Sequence, residues 1–341
     1  MPDTISPADL VEPRRPAARW QRELAEAFRD PGELCRFLDL GPEVTAAATA
    51  ALAGFPLLVP RAFAARMRTG DPDDPLLLQV LPRPAEKSAV EGFGPDPVGE
   101  AAARSGPGLV RKYAGRALAL VTGGCAVNCR YCFRREFPYA ESGASQAGLA
   151  VALAAVAADP SVEELILSGG DPLLVDDERL AAIFRAAAAI PHVRRLRIHT
   201  RLPVVLPSRV TDELVAVLAA TRLTCVVVIH ANHAAELDDS VARCLGRLAA
   251  APALMLNQAV LLAGINDSVA AQQALAERLV DIGVVPYYLH LLDRVRGAAH
   301  FDVPEAAARD LHRRLRESLP GYLVPRLVRE VPGERAKVPI G

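Results

Sequence analysis

The sequence predicts an α/β chain organised around a parallel sheet, opened out or curled into a barrel, behind a mainly helical N-terminal region. Three observations predict it. Six short apolar, β-rich runs follow residue 117, and longer Ala/Leu/Arg segments of helical period separate them. Unusual polar residues recur where those runs end. Repeated βα units require parallel strands joined by right-handed crossovers, and in such sheets chemistry gathers at the carboxyl ends of the strands.

Taken in order, residues 1–105 are rich in Pro and Ala, with helix-like stretches at 17–29 and 43–53 and turn clusters GDPDDP (70–75) and GFGPDP (92–97). They read as a helical, irregular region. Residues 106–320 form the core, with strands expected at 117–122, 164–169, 195–200, 223–230, 253–260 and 284–290. Helices are expected between and after them at 146–158, 177–189, 211–220, 238–250, 267–282 and 304–318, and Thr211 and Asp267 stand where N-caps belong. Residues 321–341 are left as a C-terminal segment. Cys125 follows the first strand, SGGDP (168–172) the second, His199 and Arg201 close the third, and His230 and Asn232 follow the fourth. Asn257 and Gln258 lie near the end of the fifth and His290 ends the sixth, so the polar residues converge on one rim.

With 341 residues, 51% of them hydrophobic and 23% charged, the chain has ample material for a buried core of one or two domains. A formal net charge of -1 gives no basis for broad nucleic-acid binding or for a basic membrane-facing surface. The N-terminal stretch lacks the basic-then-apolar pattern of a secretory leader. Apolar runs such as LTCVVVIHA (223–231) fall far short of the roughly 20 residues that span a bilayer. A cytoplasmic protein without nucleic-acid or membrane partners is expected, with its thiols reduced.

Lysine occurs only at Lys87, Lys112 and Lys337, although the chain holds 39 Lys and Arg residues. A lysine that persists against such an arginine bias suggests a use for its amine, which arginine cannot supply. Cys35, Cys225 and Cys244 stand alone and read as small buried hydrophobes. The other three cysteines form GCAVNCRYCFRR (124–135). Structural zinc usually takes two short cysteine pairs, and no second pair exists, so a zinc clip in a non-catalytic binding module would need a distant histidine. A four-iron cluster normally has a thiolate on each corner, so C-x3-C-x2-C leaves one iron open to a reactant.

That spacing, directly after the first strand of a βα series, resembles the radical S-adenosylmethionine superfamily. The resemblance implies a partial (β/α)6 radical SAM barrel, with a [4Fe-4S] cluster on Cys125, Cys129 and Cys132. S-adenosyl-L-methionine would chelate the open iron and be cleaved to an adenosyl radical. Ser168, Gly169, Gly170 and Asp171 match the superfamily's glycine-rich stretch beside the methionyl group. His230 and His290 end strands where they aim inward as hydrogen-bonding wall residues, and His230 is grouped with the cofactor contacts.

The flanks are more particular. KYAGRALALVTGGCAVNCRYCFRREFPYAE (112–141), LSGGDPLL (167–174), RLRIHTRLPVVLPSRVT (195–211), NQAVLLAGINDS (257–268), YYLHLLDRVRGAAHF (287–301) and GYLVPRLVREVPGERAKVPI (321–340) together resemble the lysine 2,3-aminomutase family. They match its short bacterial branch best, whose product (R)-β-lysine is attached to elongation factor P. The resemblance implies that Lys337 holds pyridoxal 5'-phosphate as an imine, that Tyr113 packs on its ring, and that Lys112 and Arg116 meet its phosphate or ring nitrogen. Arg134 would bind the α-carboxylate of substrate lysine through its planar fork. Asp267 and Glu330 would face the ε-ammonium, where the family usually has Asp at the second position. A glutamate or arginine aminomutase would place other groups there. Free L-lysine, a reductant such as flavodoxin or ferredoxin and, indirectly, an elongation factor P ligase are the implied partners. Longer members carry a zinc-binding C-terminal extension, and no zinc is expected here.

Overall fold

The computed structural model describes residues 17–340 apart from Ala53. Residues 1–16 of the N-terminal region, Ala53 at the end of the second expected helix, and Gly341 lie outside the described residues.

The six expected strands are all present, and they are numbered here within one nine-stranded sheet that runs in chain order. They are β2 (Arg116–Thr122), β3 (Glu164–Gly169), β4 (Arg195–Thr200), β5 (Thr224–Ile229), β6 (Ala253–Val260) and β7 (Val285–His290). Three short strands were not foreseen: β1 (Leu109–Val110), β8 (Arg326–Arg329) and β9 (Val338–Pro339). Strands β2 to β8 are parallel, β1 lies antiparallel to β2, and β9 antiparallel to β8. Among the described residues no pairing joins the first strand to the last, so the sheet is open.

The strands read as near-continuous apolar runs because both sheet faces are covered. Helices Gln146–Ala157, Asp177–Ala188, Asp212–Ala219, Asp239–Ala250, Val269–Asp281 and Glu305–Ser318 follow β2 to β7 in turn. In Asp239–Ala250 the buried residues Val241, Cys244, Leu245 and Leu248 recur at helical spacing and form one inward stripe. Its start is set by Asp238, whose side chain accepts the Val241 backbone N–H. Thr211 caps its helix as expected, but Asp267 does not. Ser268 takes that place, its Oγ accepting the Ala271 N–H at 3.2 Å.

The N-terminal helices Arg19–Ala25, Pro31–Phe37 and Pro42–Ala51 add Trp20, Leu34 and Ala48 to the same apolar cluster as the barrel strands. Phe63 is fully buried there, and trimming it to Ala would cost about 3–5 kcal/mol. The three isolated cysteines are buried, as small hydrophobes should be. Among the described residues no helix is long and apolar enough to cross a membrane.

Candidate active site

A cavity of about 770 Å³ lies within and just beyond the carboxyl ends of the parallel strands. Its wall includes every site residue expected from the sequence except Asp267.

Cys125, Cys129 and Cys132 sit on the loop after β2, all as free thiols. The N-terminal region holds this loop in place. Arg130, fully buried, donates through Nε to Glu86 Oε1 at 2.8 Å, and Arg135 Nη2 donates to Glu86 Oε2 at 2.9 Å. Backbone bonds from Arg130 N to Gln79 O (2.8 Å) and from Asn128 N to Leu58 O (3.0 Å) complete the attachment. Burial pushes the Cys132 thiol up to about 12, helped by the neighbouring Cys129, and burial likewise drives Cys125 well above the usual thiol range. Such thiols ionise when cationic metal arrives to offset the charge. Among the described residues no three His, Cys, Asp or Glu side chains stand close enough to hold one metal ion. All three thiols line the cavity, and a set of three thiol donors fits an iron-sulfur cluster with one iron left open.

The glycine stretch after β3 lies directly on the cysteine loop. Gly170 N donates to Thr122 O at 2.7 Å and Asp171 N to Gly124 O at 2.8 Å. A Cβ on Gly170 would come within 1.9 Å of Gly124 O, and one on Gly169, whose φ is +126°, within 2.3 Å of Thr122 O. The glycines are therefore required by backbone-to-backbone packing, beyond any need of a ligand. The Asp171 carboxylate is consumed internally. It accepts the backbone N–H groups of Leu173, Arg201 and Leu202 and the hydroxyl of Thr200, tying β3 to β4.

Arg134 lines the cavity, but its fork is already engaged. Nε and Nη2 donate to the two carboxylate oxygens of Glu100 at 2.7 and 2.6 Å, while Nη1 donates to Ser168 Oγ and Gly169 O at 3.0 and 2.9 Å. One guanidinium N–H is left uncommitted. Glu100 comes from the N-terminal region, where no motif marked it.

His230 Nε2 lies 2.8 Å from Tyr131 Oη, which also receives Asn232 Nδ2 at 2.7 Å and Arg201 Nη1 at 2.6 Å. Tyr131 Oη in turn donates to Gln79 Oε1 at 3.4 Å. Burial and the nearby Arg201 lower His230 to about 3, so it is neutral at physiological pH. His199 also lines the wall, joining the two histidines expected to aim inward.

Lys337 is placed by the β8–β9 hairpin, whose register sets Arg329 opposite Val338 and so brings the next residues, Glu330 and Lys337, side by side. Gly333, with φ at +83°, makes the intervening turn. Lys337 Nζ donates to Glu330 Oε2 at 2.6 Å. Glu330 Oε1 accepts Tyr113 Oη at 2.6 Å and Lys112 Nζ at 3.3 Å. Burial works to raise Glu330, but Lys337, Tyr113 and Lys112 outweigh it and hold the carboxyl at about 2. Arg116 stacks over the Tyr113 ring at 4.7 Å. Among the described residues Arg116 Nε, His199 Nε2 and His290 Nε2 are buried without partners. A lysine amine, an aromatic ring and unpartnered donors in one cavity fit an anionic, ring-bearing aldehyde such as pyridoxal phosphate.

Asp267 does not belong to this group. Its neighbour Asn266 is fully buried and bonded inward, with Nδ2 donating to Asn232 O at 2.9 Å, which leaves Asp267 exposed on the outer side. Asp293, just past β7, is the acid that the structure places in the cavity instead. Burial raises Asp293 to about 7 against the lowering pull of Lys337, with Glu330 adding to the rise. The sequence segment 287–301 carried it, but nothing in the residue pattern separated it from other turn acids.

The radical SAM superfamily profile matches residues 120–242. Over 322 residues the chain is 47% identical to the L-lysine 2,3-aminomutase of Escherichia coli (strain K12), covering 94% of each chain. It is 44% identical over 331 residues to the enzyme of that name from Haemophilus influenzae, covering 96% of this chain and 98% of the relative. Identity to the one from Acetoanaerobium sticklandii is 32% over 322 residues, covering 94% of this chain and 78% of the relative.

Proposed function

We propose, on the premise that this chain belongs to the L-lysine 2,3-aminomutase family within the radical SAM superfamily, that it converts (S)-α-lysine to (R)-β-lysine. The observation that carries the substrate choice is the pair of acids, Glu330 and Asp293, beside Lys337 in the cavity that also holds three free thiols. When bound, the iron cluster with S-adenosylmethionine supplies hydrogen-atom abstraction, and pyridoxal phosphate supplies an aldehyde carbon able to carry the migrating nitrogen.

Cys125, Cys129 and Cys132 would each hold one iron. Ser168, Gly169, Gly170, Asp171 and His230 would shape the adjoining S-adenosylmethionine site, Asp171 by holding the glycine stretch against the cysteine loop, since its carboxylate and its backbone N–H are both bonded within the protein. Lys337 would hold pyridoxal phosphate through its amine, with Tyr113 against the ring and Lys112 and Arg116 toward phosphate or ring nitrogen. Glu330, which accepts Lys337 Nζ at 2.6 Å, and Asp293 would face the substrate ε-ammonium. Two carboxylates around one buried cation reject a side chain without it, because the acids would be left unpaired. Glu330 is one methylene longer than the family's usual Asp and already reaches Lys337 at 2.6 Å. Arg134 would meet the α-carboxylate through its one free N–H, a single contact rather than a fork.

In this reading the described part of the 1–105 region braces the cysteine loop, 106–320 form the partial barrel and the described part of the C-terminal segment from residue 321 delivers the lysine. Near-complete coverage in both directions with the two shorter relatives supports a place among the short members of the family. A cytoplasmic setting, electrons from flavodoxin or ferredoxin, and use of the product by an elongation factor P ligase belong to the same reading. Anaerobic reconstitution with iron, sulfide, S-adenosylmethionine and pyridoxal phosphate, followed by lysine, glutamate and arginine in turn, tests it. Turnover of lysine alone is expected. Turnover of glutamate or arginine in its stead would move the chain to a sister activity, and a colourless zinc protein would favour the binding module.

A further inference from the structure

Arg201 has no part in the reading above, yet it is a deeply buried and heavily bonded cation. It follows β4 directly and is 6% exposed. Nη1 donates to Cys129 Sγ at 2.7 Å and to Tyr131 Oη at 2.6 Å, and Nη2 donates to Gln79 Oε1 at 2.6 Å and to Glu236 Oε2 at 2.9 Å. Its backbone is fixed as well, since Arg201 N donates to Asp171 Oδ2 at 2.7 Å.

The partners are held in turn. Glu236 is completely buried and accepts the backbone N–H groups of Asn232 and His233 at 2.8 and 3.1 Å. Gln79 Nε2 donates to Glu236 Oε1 at 3.1 Å. Burying such an ion pair is expensive, and an apolar pair of similar volume would serve stability as well or better. The arrangement therefore points to a use beyond packing, and the one unusual contact is with a cysteine of the cluster loop. The fork serves that sulfur, a phenol, an amide and a carboxylate at once, one acceptor more than an ammonium has donors, which favours arginine over lysine.

We propose that Arg201 is a positioning residue for the iron cluster, fixing Cys129 Sγ through a charged hydrogen bond and raising the cluster's reduction potential, while Glu236 limits the charge that the cluster feels. The inference rests on the reading of Cys129 as a cluster ligand. Hydrogen bonds and charge around cluster sulfurs set the potential, because a nearby cation stabilises the electron gained on reduction.

The test uses the full-length protein, anaerobically reconstituted with iron and sulfide, as wild type, Arg201→Gln and Glu236→Gln. Iron and sulfide content are measured first. The cluster's midpoint potential is then followed by electron paramagnetic resonance during titration with dithionite, which donates the electron. Arg201→Gln should shift the midpoint to a more negative value and Glu236→Gln to a more positive one. A merely structural role would not move the two in opposite directions. Unchanged midpoints, or shifts of the same sign, overturn the proposal. If Arg201→Gln does not fold, the sign for Glu236→Gln decides alone. Wild type that takes up no four-iron cluster would overturn the reading of the three thiols itself, an outcome distinct from a cluster with an indifferent potential.

Discussion

Lys337 Nζ donates to Glu330 Oε2 at 2.6 Å, across a hairpin whose register leaves the two residues facing each other. The amine proposed to carry pyridoxal phosphate is thus bonded to the acid proposed to receive the substrate's ammonium.

The lysine assignment is open to direct mapping, since only Lys87, Lys112 and Lys337 exist in the chain. Borohydride reduction of the loaded protein should leave the pyridoxyl mass on the peptide containing Lys337. Lys337→Ala should lose both the imine absorbance and that mass. A label on Lys112, which also touches Glu330, would transfer the role.

Substitutions at the acids should separate Asp293 from Asp267. Removing one partner of a buried charge pair costs about 2–5 kcal/mol, so Glu330→Ala and Asp293→Asn should each raise KM for lysine by roughly 30-fold or more. Asp267→Ala, at an exposed position outside the cavity, should stay within about twofold of wild type. Equal losses at Asp267 and Asp293 would contradict the placement.

The pH dependence of lysine binding follows from Asp293. Its carboxyl is pushed up to about 7 by burial, so at lower pH it is neutral and offers an ammonium little. Only the ionised form pairs with the cation, hence binding releases a proton and tightens as pH rises toward and through 7. Glu330, at about 2, stays ionised throughout that window, and the ε-ammonium stays charged well above it. Equilibrium binding measured from pH 6 to 8 should show this rise in wild type and a flatter profile in Asp293→Asn; a flat wild-type profile would count against it.

The brace beneath the cysteines should be felt in both stability and iron retention. Glu86→Ala leaves the fully buried Arg130 without its carboxylate, a loss of about 3–5 kcal/mol. Calorimetry should show a lower Tm, and the reconstituted variant should release iron faster to a chelator. Faster release is the informative result, because a core defect remote from the loop would lower Tm alone.

Much of this arrangement was legible in the chain. The six long strands announced themselves through apolar runs between helical segments, and the cysteine spacing and glycine stretch fell at strand ends where such sheets place their chemistry. β8 and β9 escaped because four and two residues are too few to show a period. Their hairpin nevertheless decides where Lys337 stands. Asp267 was misplaced because linear position does not reveal which way a turn residue faces; the inward bonding of Asn266 settles it. Glu86 and Glu100 gave no signal, being single acids in an irregular region whose partners lie more than thirty residues away. Arg134 lines the cavity, but its engagement by Glu100 depends on a contact that no local pattern carries.

Conversion of lysine to its β-isomer in this cavity is proposed to depend on Lys337. Chromatographic product analysis of the anaerobically reconstituted wild type, run beside Lys337→Ala with (S)-α-lysine, tests it most directly. (R)-β-lysine is expected from the wild type and none from the variant. Unreacted lysine from a wild type carrying its full cluster and pyridoxal phosphate, or equal β-lysine from both proteins, would contradict it.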